Sequence, residues 1–317
     1  MMDWSDRHCR YFFRQLAPDA LVYTEMITTG ALLHGDIARH LNFSDEEHPV
    51  ALQLGGSEPD DLAACAKLGQ RWGYDEINLN CGCPSERVQR GAFGACLMAE
   101  PTLVANCIKA MQDAVSVPVT VKHRLGIDSI ESYDFVRQFI ETLAASGCRT
   151  FIVHARNAIL KGLSPKDNRQ IPPLKYDYVY RLKHEFPECN IVINGGIDNV
   201  ADALDHLEWV DGIMLGRAAY HDPYLLAILD SAISGIRAAT SRQAVVEKMS
   251  RYAAREVKQG TPLRAITRHM LGLYHGQPRA KQWRKMLSDP ALLAENDAGL
   301  FLRARQRMQQ EAFADLA

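Results

Sequence analysis

The sequence lacks the patterns that mark a disulfide scaffold, a metal site or a membrane span. Its eight cysteines are scattered over 317 residues without a Cys-x-x-Cys pair, which argues against a zinc site and for reduced thiols. No run approaches the roughly 18 apolar residues of a transmembrane helix, and no basic segment followed by an apolar one opens the chain. We therefore expect a cytoplasmic monomer with no metal and no membrane partner.

The chain also lacks any stretch biased enough to suggest disorder. Hydrophobic residues make up 47% of it, which is ample for one large core and an appendage. The formal net charge is only −2, but residues 242–286 contain eleven basic residues against two acidic ones. This asymmetry predicts contact with a polyanion such as RNA. The alternative, a solvated helix face, would normally mix both signs.

Within that basic segment, four cations surround an aromatic residue, Trp283, which could stack on a base or simply pack. The segment's candidate RNA contacts are Arg279, Arg284 and Lys285.

Short apolar runs alternate with segments of helical spacing through residues 20–217. The predicted strands are Leu21–Ile27, Pro49–Leu54, Glu76–Asn80, Pro118–Lys122, Thr150–His154, Asn190–Asn194 and Gly212–Leu215. The predicted helices between them include Glu58–Trp72, Pro101–Ala114, Ser132–Ala145, Asp177–Glu185 and Asp198–Leu207. Repeated β–α units predict an α/β fold with a parallel sheet, here a (β/α)8 TIM barrel with an incomplete first strand.

The missing strand should be the first, because Met1 to Trp4 looks like the end of a strand and the loop after it. We expect the first residue to lie inside that strand. Beyond Pro223 the strand signals stop and the remaining residues have helical spacing. The sequence therefore predicts a catalytic barrel over residues 1–223 and an all-helical domain over residues 224–317.

Polar residues sit near the C-terminal ends of five predicted strands, between branched apolar neighbours. Because strand residues face the lumen and the surrounding helices in turn, these polar residues should face the lumen. They are Gln53, Asn78, Asn80, Lys122, His154 and Asn194. One such residue could be a satisfied structural group, but agreement among five strands predicts a functional mouth where barrel enzymes carry their sites.

Two glycine-containing loops predict a phosphate site. Asn194-Gly195-Gly196-Ile197-Asp198 follows the seventh strand and opens a helix, and Gly216-Arg217 follows the eighth. Glycines let backbone amides approach an anion, a helix N-terminus favours negative charge, and Arg217 can add a charge-assisted contact. FMN suits such a mouth, with Lys122 across from the phosphate. A sugar phosphate would also fit these loops, so the pattern alone does not choose the ligand.

The loop Cys81-Gly82-Cys83-Pro84 follows the fourth strand. Most cysteines are small packing residues, and we expect Cys81 to be one. Cys83 lies in a glycine-flanked, proline-followed loop, which is not a core pattern. We therefore interpret Cys83 as a functional thiol placed where reactive ones sit.

Taken together, these stretches resemble the tRNA-dihydrouridine synthases, and within them the A subfamily. The resemblance covers nearly the whole chain and departs at the N-terminus, where the family has a full first strand ending in Ala-Pro-Met-Met. The stretches that carry it are Met2-Asp3-Trp4, Asn78 to Pro84, Val121-Lys122-His123-Arg124, His154-Ala155-Arg156, Asn194-Gly195-Gly196 and Leu215-Gly216-Arg217. Those that look particular to the subfamily are Lys161-Gly162-Leu163-Ser164-Pro165 and His269 to Gln277.

The resemblance implies an FMN barrel with a helical tRNA-binding domain, NADPH as the hydride source, and uridines 20 and 20a of the D loop as substrates. It implies Cys83 as the proton donor and Asn80 as a substrate contact. It adds Arg156, Lys166 and Arg169 to the RNA surface. The implied FMN contacts are Met1, Met2, Gln53, Lys122, His154, Asn194, Gly195, Gly196, Gly216 and Arg217.

Two other classes of protein stay open from the residues alone. An FMN barrel acting on a small molecule, such as a dihydroorotate or enoate reductase, would explain the flavin site but not the basic helical tail. A non-catalytic RNA-binding protein on a barrel scaffold would explain the tail, and it would not be yellow on purification.

Overall fold

A computed structural model describes residues 1–235 and 237–314 of the chain. The strands are β1 (Val22–Tyr23), β2 (Ile27–Thr28), β3 (Val50–Gly55), β4 (Glu76–Cys81), β5 (Val119–His123), β6 (Thr150–His154), β7 (Asn190–Asn194) and β8 (Gly212–Met214). The helices of the first part are α1 (Arg7–Leu16), α2 (Thr29–His34), α3 (Ile37–Leu41), α4 (Pro59–Trp72), α5 (Glu86–Arg90), α6 (Pro101–Ala114), α7 (Tyr133–Ala145), α8 (Tyr176–Glu185) and α9 (Val200–Leu207). Those that follow β8 are α10 (Arg217–His221), α11 (Tyr224–Ser234), α12 (Arg242–Lys258), α13 (Arg264–Met270), α14 (Ala280–Leu287), α15 (Pro290–Ala294) and α16 (Leu300–Ala314).

The strands form one parallel sheet whose neighbours follow the order of the chain. The path is β1-β3-β4-β5-β6-β7-β8, and β2 also pairs with β3. β3 and β4 are buried along their whole length, as expected for strands covered by helices on the outside. The curled parallel sheet with alternating helices, followed by helices alone, confirms the predicted TIM-barrel class with C-terminal helices.

The N-terminal part of the sheet differs from its prediction in two places. The predicted strand Leu21–Ile27 is split, because the Thr24 hydroxyl accepts from the Gln53 amide at 2.9 Å and interrupts the ladder. Met2 to Trp4 form a turn, and Asp3 has a φ of 63°, a left-handed conformation incompatible with a strand. This turn agrees with the expected loop after a first strand, whereas Met1 itself is not part of a strand.

The chain divides into two compact units. The first contains Met1–Met2 and Tyr23–Gly216, and the second contains Asp3–Val22 and the chain from Arg217 onward. α1 thus shares the core of the C-terminal helices, where the Tyr11 ring stacks on Tyr252 at 3.8 Å. The second unit starts at Arg217 and also includes α1, whereas the sequence predicted a single division at residue 223. The amphipathic pattern of α1 does not show which distant helices it packs against. The functional division between flavin and RNA domains stays a prediction.

No helix in the described ranges is both long and apolar enough to cross a membrane.

Candidate active site and candidate RNA-binding surface

The polar residues at the strand ends meet on one side of the sheet. The Lys122 ammonium donates to Asn194 Oδ1 at 2.9 Å, and Asn194 Nδ2 donates to the Met214 carbonyl oxygen at 2.7 Å. Lys122 lies on β5 and Asn194 on β7, with β6 between them, so their bond crosses the concave side of the sheet. Both side chains therefore face the lumen, as the alternation predicts.

The loop that carries Cys83 is held by backbone hydrogen bonds. Asn80 Oδ1 accepts from the amides of Gly82 at 3.0 Å and Cys83 at 2.9 Å. On the other side, the Cys83 carbonyl oxygen accepts from the Ala95 amide at 3.0 Å. The Cys83 thiol is half-buried, whereas Cys81 is fully buried and its pKa is raised by that burial. The geometry thus separates a presented thiol from a packing one.

Arg124 is a site residue that the sequence reasoning did not single out, although it lies in a motif of the resemblance. Its buried guanidinium donates to three backbone carbonyl oxygens: Gly82 at 3.2 Å, Asn157 at 3.1 Å and Asn168 at 2.9 Å. These belong to the cysteine loop and to two parts of the chain after β6. Since one planar group joins all three, Arg124 ties the mouth loops together.

Burial also controls the charge of the lumen. It lowers the pKa of Lys122 to about 7, and the positive charge of Arg124 acts in the same direction, while Cys83 opposes both. Burial lowers the pKa of Arg124 to about 10, so this guanidinium keeps its proton at neutral pH. Among the described residues, no group of three or more His, Cys, Asp or Glu side chains is placed to hold a metal ion.

The loop after β7 requires its two glycines. Gly195 and Gly196 have φ angles of 110° and 76°, which side-chain-bearing residues rarely adopt. A Cβ on Gly195 would lie 2.6 Å from His154 Cδ2, and one on Gly196 would lie 2.6 Å from the Tyr176 hydroxyl. That hydroxyl donates to the Gly195 carbonyl oxygen at 2.7 Å. The loop therefore brings its backbone directly against His154.

The loop after β8 lies next to Met1, which belongs to the same structural unit as Gly216. A Cβ on Gly216 would lie 3.5 Å from the Met1 sulfur, while the neighbouring Met2 is largely exposed. Arg217 is the first residue of α10 and belongs to the second unit.

The predicted phosphate loop, Asn194 to Asp198, leads into a helix as expected. That helix, α9, starts at Val200, two residues later than predicted. Asn199 caps it by accepting from the Asp202 amide at 2.9 Å.

The loop after β6 presents two exposed cations. Lys166 precedes a short 3-10 helix at Asp167–Arg169, which Arg169 ends. The buried Asn168 holds that turn through hydrogen bonds to the backbone of Ile159. Arg156 is partly buried and donates to the Pro172 carbonyl oxygen. The side chains of Lys166 and Arg169 are thus exposed to solvent, whereas Arg156 contacts the backbone of its own loop.

The second unit contains a pocket of about 400 Å³. Its lining consists of Tyr220, His221, Arg268, Leu271, Gly272, His275 and Arg284. Trp4 stacks on Tyr220 with ring centroids 4.3 Å apart, and Asp6 accepts from Arg268 at 2.5 Å. Within the described residues, the exposed Arg284 guanidinium has no hydrogen-bond or ion-pair partner. The pocket offers aromatic surface and an uncompensated cation, which suits a nucleotide.

The Trp283 side chain packs inside the second unit and is not exposed at its surface. Its side chain is fully buried in the core of the second unit, and its indole N–H donates to the Met270 carbonyl oxygen at 2.8 Å. Its neighbours Arg284 and Lys285 are exposed, whereas Arg279 is half-buried with a φ of 62°. The aromatic residue anchors α14, and the cations around it form the surface.

The fold and the site define a parallel β/α-barrel enzyme with a glycine-rich loop, a half-buried lysine and a half-buried thiol at its mouth. A family model described as Dihydrouridine synthase (Dus) matches residues 1–313, and the chain belongs to this family. Enzymes of this family are generally flavin-dependent. The resemblance of the motifs is thereby confirmed.

Several relatives share more than half of their residues with this chain, and each is named tRNA-dihydrouridine(20/20a) synthase. The protein of Synechocystis sp. is 57% identical over 96% of this chain and 92% of its own length. That of Shewanella oneidensis is 56% identical over 95% of this chain and 89% of its own. That of Escherichia coli (strain K12) is 56% identical over 96% and 88%.

Proposed function

We propose that this protein reduces uridine at positions 20 and 20a of the tRNA D loop to 5,6-dihydrouridine, using FMN and NADPH. The observation that carries this proposal is the half-buried Cys83 thiol, in a loop that the Asn80 side chain holds at the end of β4. The relatives' shared name supports the substrate, since their similarity extends over nearly the whole chain.

The residues of the mouth fit FMN. A side chain at Gly195 or Gly196 would clash with His154 or Tyr176, so only glycine fits, and glycine leaves the backbone amides uncovered for a phosphate. Bound FMN supplies the hydride that is added to C6 of uracil, after reduction by NADPH. The residues that would hold it are Met1, Met2, Gln53, Lys122, His154, Asn194, Gly195, Gly196, Gly216 and Arg217.

Cys83 protonates C5 of the uracil in this proposal. Hydride addition at C6 leaves negative charge on C5 and O4, so a positioned acid must supply a proton. The usual pKa of a thiol lies above neutrality, so a thiol is a suitable acid for this step. The Lys122 ammonium would stabilise the developing negative charge. The second amide hydrogen of Asn80 can donate to a uracil carbonyl oxygen.

The tRNA binds along exposed cations in this proposal. Nine of the eleven basic side chains of residues 242–286 are exposed, and a small-molecule reductase has no use for such a surface. The uridine has to leave its stacked position to reach the flavin. The residues proposed to contact RNA are Arg156, Lys166, Arg169, Arg279, Arg284 and Lys285.

The decisive experiment supplies the purified protein with FMN, NADPH and a tRNA transcript without modifications, and maps dihydrouridine at each position. Wild type should form it at positions 20 and 20a. The Cys83→Ala variant should bind FMN normally and lose at least 100-fold in rate, the order expected for a lost general acid. Cys96→Ala is the matched control, since Cys96 is also half-buried but lies outside the loop.

Two outcomes would contradict this proposal. Full activity of Cys83→Ala would remove the proton-donor role. Absence of dihydrouridine with wild type, together with rapid NADPH oxidation by orotate-like or enoate substrates, would favour a small-molecule reductase.

A further inference from the structure

A buried glutamate lies at the start of β4, far along the strand from the cysteine loop. Glu76 is only 8% exposed, and no cation contacts it among the described residues. It receives two hydroxyl donors instead: Thr120 and Tyr23, each at 2.7 Å from Oε1. Burying a carboxylate without a counter-charge is costly, so its retention calls for a physical reason.

A continuous chain of side-chain hydrogen bonds leads from Glu76 towards the mouth. The Thr120 hydroxyl donates to Glu76 and accepts from Asn78 Nδ2 at 2.8 Å. Asn78 Oδ1 then accepts from Gln53 Nε2 at 2.9 Å, and Gln53 Oε1 accepts from Asn80 Nδ2 at 2.8 Å. All five side chains are buried, so water does not compete for these bonds.

The far end of the chain is the cysteine loop. The Asn80 amide donates into the chain, so its Oδ1 points towards the loop and accepts from the amides of Gly82 and Cys83. The conformation of the residue that carries the thiol thus depends on which way round the Asn80 amide lies.

The geometry points to Glu76 as a positioning residue that sets the direction of this chain and so holds the loop bearing Cys83. This inference rests on the proposed role of Cys83 in uridine reduction.

The direction follows from the donors and acceptors available. A carboxylate only accepts, so the single hydroxyl hydrogen of Thr120 must point at Glu76. The hydroxyl oxygen can then only accept from Asn78, and the same constraint passes through Gln53 to Asn80. Asparagine and glutamine amides have no preferred direction of their own, so the carboxylate removes the ambiguity. Reversing the Asn80 amide would oppose its N–H groups to those of Gly82 and Cys83.

The surroundings of Glu76 shift its pKa in two opposite directions, and the net shift is upward. Burial raises the pKa of Glu76, and the hydrogen bonds from Thr120 and Tyr23 act in the opposite direction because they stabilise the carboxylate. A buried network of this kind is stabilising only when every member is satisfied.

The test breaks the direction of the chain without changing its shape. Glu76→Gln is isosteric, but its amide can donate, so the chain can reverse. Thr120→Val removes the second link and keeps the carboxylate. Amide hydrogen exchange of Gly82 and Cys83 should accelerate about tenfold in both variants, the factor expected for one weakened hydrogen bond. The kcat for dihydrouridine should fall by a similar factor, with KM for tRNA unchanged.

Two controls separate direction from packing. Glu47→Gln neutralises another fully buried glutamate of the same unit, which takes no part in the chain, and should leave both amides protected. Thr120→Ser keeps the hydroxyl link and should retain slow exchange and wild-type kcat. Thermal unfolding of each variant verifies that it is folded, and Thr120→Val carries the test if Glu76→Gln does not fold.

The inference is overturned if Gly82 and Cys83 exchange as slowly in the folded variants as in wild type. It is also overturned if Thr120→Ser accelerates exchange as much as Thr120→Val, since packing alone would then explain the effect. Accelerated exchange together with an active Cys83→Ala variant would support the chain and refute the proposed proton donor, so the two failures are distinguishable.

Discussion

The ammonium of Lys122 and the side-chain oxygen of Asn194 meet at 2.9 Å across the concave side of the sheet. Asn194 directly precedes Gly195, so this hydrogen bond couples the only lysine on the described strands to the glycine-rich loop. An ammonium group held in this position can form an ion pair with an anionic ligand at the mouth.

The charge of Lys122 predicts a pH-dependent affinity for FMN. Burial lowers the pKa of Lys122 to about 7, so the free protein loses the positive charge as the pH rises through 7. Because an anionic ligand favours the ammonium, FMN affinity should fall by up to tenfold per pH unit between pH 7 and 9. Fluorescence titration of the apoprotein measures this dependence.

The matched variants are Lys122→Met and Lys109→Met. Lys122→Met should bind FMN more weakly at pH 7 and show little pH dependence above it. The exposed Lys109 pairs with Asp113, so its removal should change nothing. An identical slope in wild type and Lys122→Met would contradict this prediction.

Gly195→Ala should weaken FMN binding. The new Cβ would meet His154 Cδ2 at 2.6 Å, and the φ of 110° is strained for alanine. Strain of this kind is worth about 1–3 kcal/mol, or roughly 5- to 150-fold in affinity. The control is Gly162→Ala, where φ is 89° but no atom lies within 4 Å of the added Cβ. Equal FMN affinity in both variants would show that the glycine-rich loop does not hold the cofactor.

Arg284→Gln should weaken tRNA binding and flatten its salt dependence. Each phosphate contact contributes roughly one to the slope of log affinity against log salt, so losing one cation should reduce the slope by about one. Arg303→Gln is the control in the same unit, because Arg303 is already paired with Asp297 and Glu295. Filter binding over a salt series gives both slopes, and a wild-type slope near zero would refute the proposed surface.

Trp283→Ala should destabilise the second unit by about 3–5 kcal/mol, because a fully buried indole leaves a cavity. Trp283→Phe keeps most of the volume and loses the bond to Met270, which costs about 1 kcal/mol. Chemical denaturation measures both values. If Trp283→Phe instead lost tRNA affinity at unchanged stability, the residue would have to stack on RNA.

The sequence predicted most of the barrel because its signals are local. β6 and β7 have the predicted bounds. The alternation along β5 and β7 predicted that Lys122 and Asn194 face inward, and their hydrogen bond across the concave side agrees. Local rules failed where the partner lay far along the chain. α1 packs with the C-terminal helices, where Tyr11 stacks on Tyr252. Hydrophobic periodicity cannot predict such a contact between distant parts of the chain.

The candidate site divides in the same way. Residue type and strand position alone determined that Cys83, Lys122 and the glycines would gather at one end of a parallel barrel, because all the strands end there. Only the tertiary structure decided that Arg124 joins three loops. It also decided that a chain of four hydrogen-bonded side chains connects Glu76 to the cysteine loop. Hydrogen-bond partners and their direction depend on which side chains meet after folding.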